Sequence, residues 1–413
     1  GHHQPPDPSP HPRLPDVHPM IKACTATFAA LFLCLNIFAQ TIHCDSQVVL
    51  ENQKNQDVVA VNRLWNDYLA SSPDSLYDNK LWNKAEKEKY KSYDLLRSEG
   101  GLELYSLAKN IGVVKNLVLS IKPVDDKSYD IHSMFYWVYP DCPPFVLCTT
   151  HVLAFKDDSG RFVLGNWLPY YSRNWKTVNE GPITFHYQEY KRNDVKIRKA
   201  QEFLAFLNKK FDVMIDHLDI YISKGFRETQ RLKGFGYDIG EAAVSDTTDL
   251  GGTTDIDNNI IYSNSTAGEY YQHEMMRLVM PRYRGAHPLL MNGLSEYYSE
   301  TLEMRGVSFR EHFKNLDAFL DSHPEINLDK FDHFDSGNLT ESNYLIGLVL
   351  VKMIEDKCGH PKFLEALDAV HTDEDLLAFM DRELGIKAVE ADSVLRKMIK
   401  YYATEGYIGK QWR

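Results

Sequence analysis

The stretch Tyr271-Gln272-His273-Glu274-Met275-Met276-Arg277 holds the side chains best suited to chemistry. Its spacing reads as helix, and on a helix positions i and i+4 share a face. Two histidines so placed, with a glutamate beside the first, hold a metal ion and take a proton from its bound water. His273 and Glu274 fit the first histidine and the base, but Arg277 stands where the second histidine would be. A guanidinium stays protonated at any working pH and has no lone pair to give a metal. Alone, one His-Glu pair says little, because such pairs recur by chance and a lone helical histidine is more often packed than ligating.

Two further stretches follow in order. Met291-Asn292-Gly293-Leu294-Ser295-Glu296-Tyr297 is the first, and Tyr344-Leu345-Ile346-Gly347, running on through apolar residues to Ile354 and Gly359, is the second. Together with His273-Glu274 they resemble the gluzincin (peptidase-MA-like) family of zinc metallopeptidases, with HExxR in place of HExxH. The family's second active-site helix is written N-E-G-hydrophobic-small-x-Y, and its Glu is the third zinc ligand. A Y-x-x-G helix in the aminopeptidase branch supplies a tyrosine that stabilises the oxyanion. The resemblance spans roughly residues 175 to 405. It implies that His273 is a remnant metal ligand, Glu274 the general base and Tyr344 the oxyanion stabiliser. It also makes Glu296 the acid that supports the zinc-binding histidine from behind. Asn292 falls on the ligand glutamate.

The departures set the functional expectation. One imidazole and one neutral amide oxygen are a poor set for a catalytic zinc, which takes three protein ligands. Zinc lowers the pKa of its water from about 15.7 to about 7, on the order of 12 kcal/mol, which Glu274 alone does not supply. The resemblance therefore implies a pseudopeptidase without a resident cofactor, with Glu274 and Tyr344 vestigial. A cleft for a peptide or protein segment remains, with residues 259–263 as an exposed edge for strand addition. Arg277 is expected to stand in for the metal's charge, pairing with Glu274 or Glu296 and holding the two helices together. Two alternatives stay open. One is an active zinc metallopeptidase with atypical ligands, such as His273, Glu296 and His287. The other is a structural surface module whose cleft is closed by side chains. Otherwise His287, His312 and His333 read as surface histidines.

The elements around these residues read as α+β: an N-terminal α+β accessory domain, residues 41–175, followed by a gluzincin-like domain, residues 176–413, with a small mixed sheet and then mostly helices. In the first unit, helical spacing covers 58–70 and 81–97, and strands are expected at 117–121, 131–139, 146–155 and 161–168, with a turn at 157–160. In the second, strands are expected at 183–187, 218–222 and 259–263. Ile197, Ala200, Leu204, Leu207 and Phe211 mark one buried helix face, and a short helix covers 226–232. Thr266 and Glu269 form a candidate capping box ahead of His273. Nearly everything from 266 to 402 reads as helix.

Composition narrows the partners. The chain has 413 residues and a net charge of -12, with no basic stripe, which argues against nucleic acid. Residues 1–19 read as a disordered leader or an expression remnant. Residues 20–40 read as a signal peptide: Met20, Lys22 and a short apolar run. The expectation is a secreted or periplasmic protein with no transmembrane segment once the signal is removed. Cys44, Cys142, Cys148 and Cys358 would remain, and Cys142 and Cys148 are placed in sequence to close a small loop.

Overall fold

The computed structural model describes residues 55–71, 80–89, 114–139, 142–238, 251–299, 307–331, 334, 336 and 340–406. The expected leader, signal peptide, Cys44, His333 and residues 90–97 of the second helix lie outside them. All described residues belong to one compact unit, Ile42–Arg413.

Two helices, α1 (Gln56–Leu69) and α2 (Lys84–Lys89), precede an antiparallel sheet of β1 (Val114–Pro123), β2 (Ser128–Tyr139), β3 (Cys142–Lys156) and β4 (Phe162–Gly165). Asn55 caps α1 by accepting from the Asp57 and Val58 amides. The face bearing Val58, Val61, Trp65, Tyr68 and Leu69 then packs on Val118, Ile131, Phe135 and Val152 of the sheet. The expected turn at 157–160 forms: Asp157 Oδ1 accepts from the Ser159 and Arg161 amides, and Gly160 takes a φ of 76°. The expected fourth strand stops at Gly165, and Trp167–Tyr171 instead forms a short helix, α3.

Cys148 is a buried thiol outside any disulfide. It does not pair with Cys142, because both lie on β3. Six residues of extended strand separate them by about 20 Å, while a disulfide needs Cα atoms within about 7 Å.

Glu86 of α2 anchors that helix to the sheet by accepting from the Asn166 amide and side chain at 2.8 and 2.6 Å. Burial pushes its carboxyl up to about 7, against the Asn166 and Trp82 hydrogen bonds that favour the anion. The folded state thus binds this proton more tightly than the unfolded chain, whose reference is 4.5. The associated stability, up to about 3 kcal/mol, is complete below the unfolded value and is lost as the pH rises through 7. Melting temperatures between pH 4.5 and 8 should fall more steeply for the native chain than for Glu86→Gln, and parallel curves would contradict this.

The second sheet is mixed. It is built from β5 (Lys176–Glu180), β6 (Ile183–Tyr187), β7 (Leu218–Ser223), β9 (Thr253–Asp255) and β10 (Ile260–Asn264), in the order β5-β6-β7-β10-β9. β6, β7 and β10 run parallel, and β5 and β9 close the two edges antiparallel. Helix α4 (Asp194–Lys210) crosses between β6 and β7 and buries the expected face, Ile197, Ala200, Leu204 and Leu207, with Phe211 just beyond its end. Helix α5 (Phe226–Lys233) follows β7, and the next strand, β8 (Phe235–Asp238), leaves this sheet and pairs with β3 of the first. β10 is not an exposed edge, contrary to expectation. It lies between β7 and β9, and all five of its residues are buried.

The remainder is helical: α6 (Gln272–Arg277), α7 (Pro288–Ser299), α8 (Phe309–Ser322), α9 (Ser342–Cys358), α10 (His360–Ala369), α11 (Asp373–Phe379) and α12 (Ala388–Glu405). The described chain is thus α+β, with sheets followed by helices. Among the described residues no helix is long and apolar enough to cross a membrane.

His287 and His312 are not surface residues. They are 4% and 0% exposed, and each is held by hydrogen bonds, His312 Nδ1 to Thr340 Oγ1 at 3.0 Å.

Candidate functional site

The site sits where α6, α7, α9 and the edge strand β9 meet. α6 is a short helix. Its N-terminal residue position is Tyr271 with no side-chain cap, so the expected Thr266–Glu269 box does not form. Glu269 is instead buried and accepts from the Asn193 amide and the Tyr187 hydroxyl. After Arg277 the chain leaves α-helix and runs through tight turns bonded i to i+3 before α7 begins.

Two glycines let α7 and α9 touch. A Cβ at Gly293 would lie 2.1 Å from the carbonyl carbon and oxygen of Gly347, and one at Gly347 would lie 2.2 Å from the Leu289 carbonyl oxygen. Both glycines of the sequence frames are therefore required by close backbone approach. That contact packs the helix of Asn292 and Glu296 directly against the helix of Tyr344.

α6 docks on α7 through polar ends. Gln272 Nε2 donates to the Tyr298 carbonyl. His273 Nδ1 lies 3.4 Å from Glu296 Oε1, with the imidazole 13% and the carboxylate 1% exposed. The pair sits at ion-pair distance without hydrogen-bond geometry at Nδ1. Burial opposes the imidazolium, but Glu296 and the charge of Glu274 outweigh it, and Arg277 acts the other way; the net result holds His273 above the ordinary imidazole range. Tyr298 and Glu296 of α7 thus face Gln272 and His273 of α6.

Glu274 is buried and tied to the edge strand. Thr254 Oγ1 of β9 lies 2.7 Å from its Oε2 and 2.9 Å from its backbone oxygen. Arg277 Nη1 stands 3.6 Å from the same Oε2. The expected ion pair thus forms with Glu274 and not with Glu296. It lies within one helix, so it does not clamp α6 to α7; His273 and Glu296 make that joint. Tyr344 is half-buried, its ring centroid 6.1 Å from that of His273. Burial and the nearby Glu341 raise its hydroxyl pKa; Arg277 opposes them, while Glu296 and Glu274 add to the rise. It is therefore a neutral donor at working pH. Asn292 is half-buried as well.

These donors do not fit zinc. His273 offers one nitrogen, Arg277 none, and Asn292 an uncharged oxygen. His287 does not complete a set with His273 and Glu296, because both of its ring nitrogens are engaged. Nε2 faces Asp373 Oδ1 at 2.8 Å and Nδ1 accepts from the Leu289 amide at 3.2 Å, at the start of α7. Among the described residues no group of three or more His, Cys, Asp or Glu side chains is arranged to hold a metal.

Thr254 and Gln272 were not legible as site residues. Thr254 follows Gly251-Gly252 in a looped stretch, and its bond to Glu274 spans 20 residues with no local signature.

No protein-family model matches the chain. No curated protein matches it either.

Proposed function

We propose that residues 176–413 form a gluzincin-like domain that has lost its metal, an inactive homologue of an exported peptidase that keeps a cleft for a peptide or protein segment. The accessory α+β domain, residues 41–175, borrows β8 to complete its sheet. The observation that carries the reading is the pairing of α6 with α7. His273 meets Glu296 as a metal-binding histidine meets its supporting acid, while Arg277 lies on Glu274 where the second histidine would be. The cation there is covalent to the chain and pairs with Glu274 at 3.6 Å. Among the described residues β9 pairs with β10 alone, so β9 takes the role first expected of β10, an edge to which an extended peptide adds.

A tryptic digest of casein tests this. Peptides should give saturation-transfer signals with the protein, and their mass-spectrometric map should stay unchanged after incubation. New cleavage products that vanish with Glu274→Gln would show an active enzyme. Absence of any saturation transfer would remove the cleft.

A further inference from the structure

We infer that Thr177, His186 and Asp219 form a second reactive site, in which the threonine hydroxyl takes the acyl group of an activated ester. The site lies on the side of the second sheet away from β9, and it does not depend on the cleft reading. In the antiparallel register of β5 and β6, Thr177 stands directly across from His186. Its Oγ1 lies 3.3 Å from His186 Nδ1, and His186 Nε2 lies 2.6 Å from Asp219 Oδ1 on β7. Those two contacts define a hydroxyl nucleophile, its base and the group that orients the base, on any fold.

The direction of proton transfer follows from the acceptors. An ionised carboxylate only accepts, so the proton of a neutral His186 sits on Nε2. Its lone pair is then on Nδ1 and accepts from the Thr177 hydroxyl. Burial alone would raise the carboxyl of Asp219, but the hydrogen bonds and charges of His186 and His217 outweigh it and hold it below the usual range. His217 Nε2 meets the second oxygen, Oδ2, at 2.7 Å, so both ends of the carboxylate are held. The His186 ring also stacks on Tyr221, with centroids 4.1 Å apart and planes 7° apart. The His186 and Asp219 side chains are 16% and 17% exposed, whereas Thr177 is open to solvent, so the base is shielded and the nucleophile accessible. Asn179 lies two residues along β5 and therefore on the same face as Thr177. Its Oδ1 accepts from Thr184 Oγ1 at 3.0 Å, which leaves its N–H donors for a developing oxyanion.

The step balances within these groups. Thr177 Oγ1 bonds to the acyl carbon as its proton passes to His186 Nδ1. The ester C–O bond breaks, and the leaving oxygen takes that proton. Water repeats the sequence on the acyl-threonine, which releases a carboxylic acid and returns the hydroxyl. A secondary hydroxyl is a weak nucleophile, so the site suits esters with a good leaving group, not amides.

The test mixes the full chain with para-nitrophenyl acetate. Nitrophenolate release is followed together with peptide-mapping mass spectrometry of acid-quenched samples. A burst is expected, with the acetyl group on Thr177. Thr177→Val keeps a β-branched residue on the strand and should abolish both signals, while Thr177→Ser should keep them. Asp219→Asn should slow the burst by about a hundredfold or more, because the imidazole loses its tautomer, and Asp219→Glu should recover part of the rate. Acetyl found only on other residues, a burst unchanged in Thr177→Val, or no burst at all overturns the site. Each of those outcomes leaves the peptide cleft standing, since it is read from a different assay.

Discussion

Gly293→Ala is expected to destabilise the protein by about 3 kcal/mol. Two effects of opposite sign compete. Alanine is the better helix former by about 1 kcal/mol, which favours the variant. The new methyl, however, would lie 2.1 Å from the Gly347 carbonyl carbon and oxygen and 2.7 Å from the Leu348 amide nitrogen. Ordinary contact needs more than 3.4 Å, and the obstacle is backbone, which has no rotamer to swing aside. Helices α7 and α9 must then separate by more than 1 Å. Both helices carry the main apolar core through Leu290, Leu294, Leu345 and Leu348, all at most 1% exposed. Close-packed interiors do not absorb such a shift without losing contacts along the whole interface. Urea unfolding of the variant should show the loss with an unchanged m-value, and Gly347→Ala should behave alike, because its methyl meets the Leu289 carbonyl oxygen at 2.2 Å. A change within about 0.5 kcal/mol, the range of an ordinary surface substitution, would mean that the helices are not in contact at these glycines.

The double change Arg277→His with Asn292→Glu should raise zinc affinity by at least about a thousandfold, with each single change giving much less. Three protein ligands are the working minimum for a catalytic zinc, so the second ligand gains little until the third is present. The existing geometry favours the pair. His273 already turns Nδ1 to Glu296, which leaves Nε2 for a metal, and such a supporting contact is worth about 10- to 100-fold in affinity. Removing Arg277 also frees Glu274 from its ion pair. Competition against a calibrated chelator measures the gain. If the double variant binds no better than the native chain, the two helices are not spaced as in a zinc site, and the resemblance fails at its centre.

Local pattern reached much of this architecture. The buried face of α4 followed from five apolar positions at helical spacing, and the β3–β4 turn from Asp157 and Gly160. The frames around His273, Gly293 and Tyr344 did meet at one place, and Arg277 did reach Glu274. What failed depended on contacts distant in sequence. A fully buried strand reads the same whether it is central or at an edge, so residues 260–264 gave no sign that β9 would cover them. β8 joins the first sheet across more than 80 residues. His287 carries no periodic signal of its own, and only its partner Asp373 explains its burial, whereas His312 falls on the buried face of α8 with Phe309, Phe313, Leu316 and Leu320 and was legible there. The capping box failed because Glu269 was taken by the N-terminus of a different helix, α4. The site's chemistry was legible where it used side chains on one helix. It was hidden where it used Thr254, which arrives from another strand.

The central claim is that a fixed arginine has replaced the metal. Zinc content measured by plasma mass spectrometry on purified, tag-free native protein tests it most directly, paired with a peptidase assay on the same sample. The account predicts far less than one zinc per chain after dialysis and no hydrolysis. One tightly held zinc per chain, with peptide hydrolysis that disappears in Glu274→Gln, would contradict it.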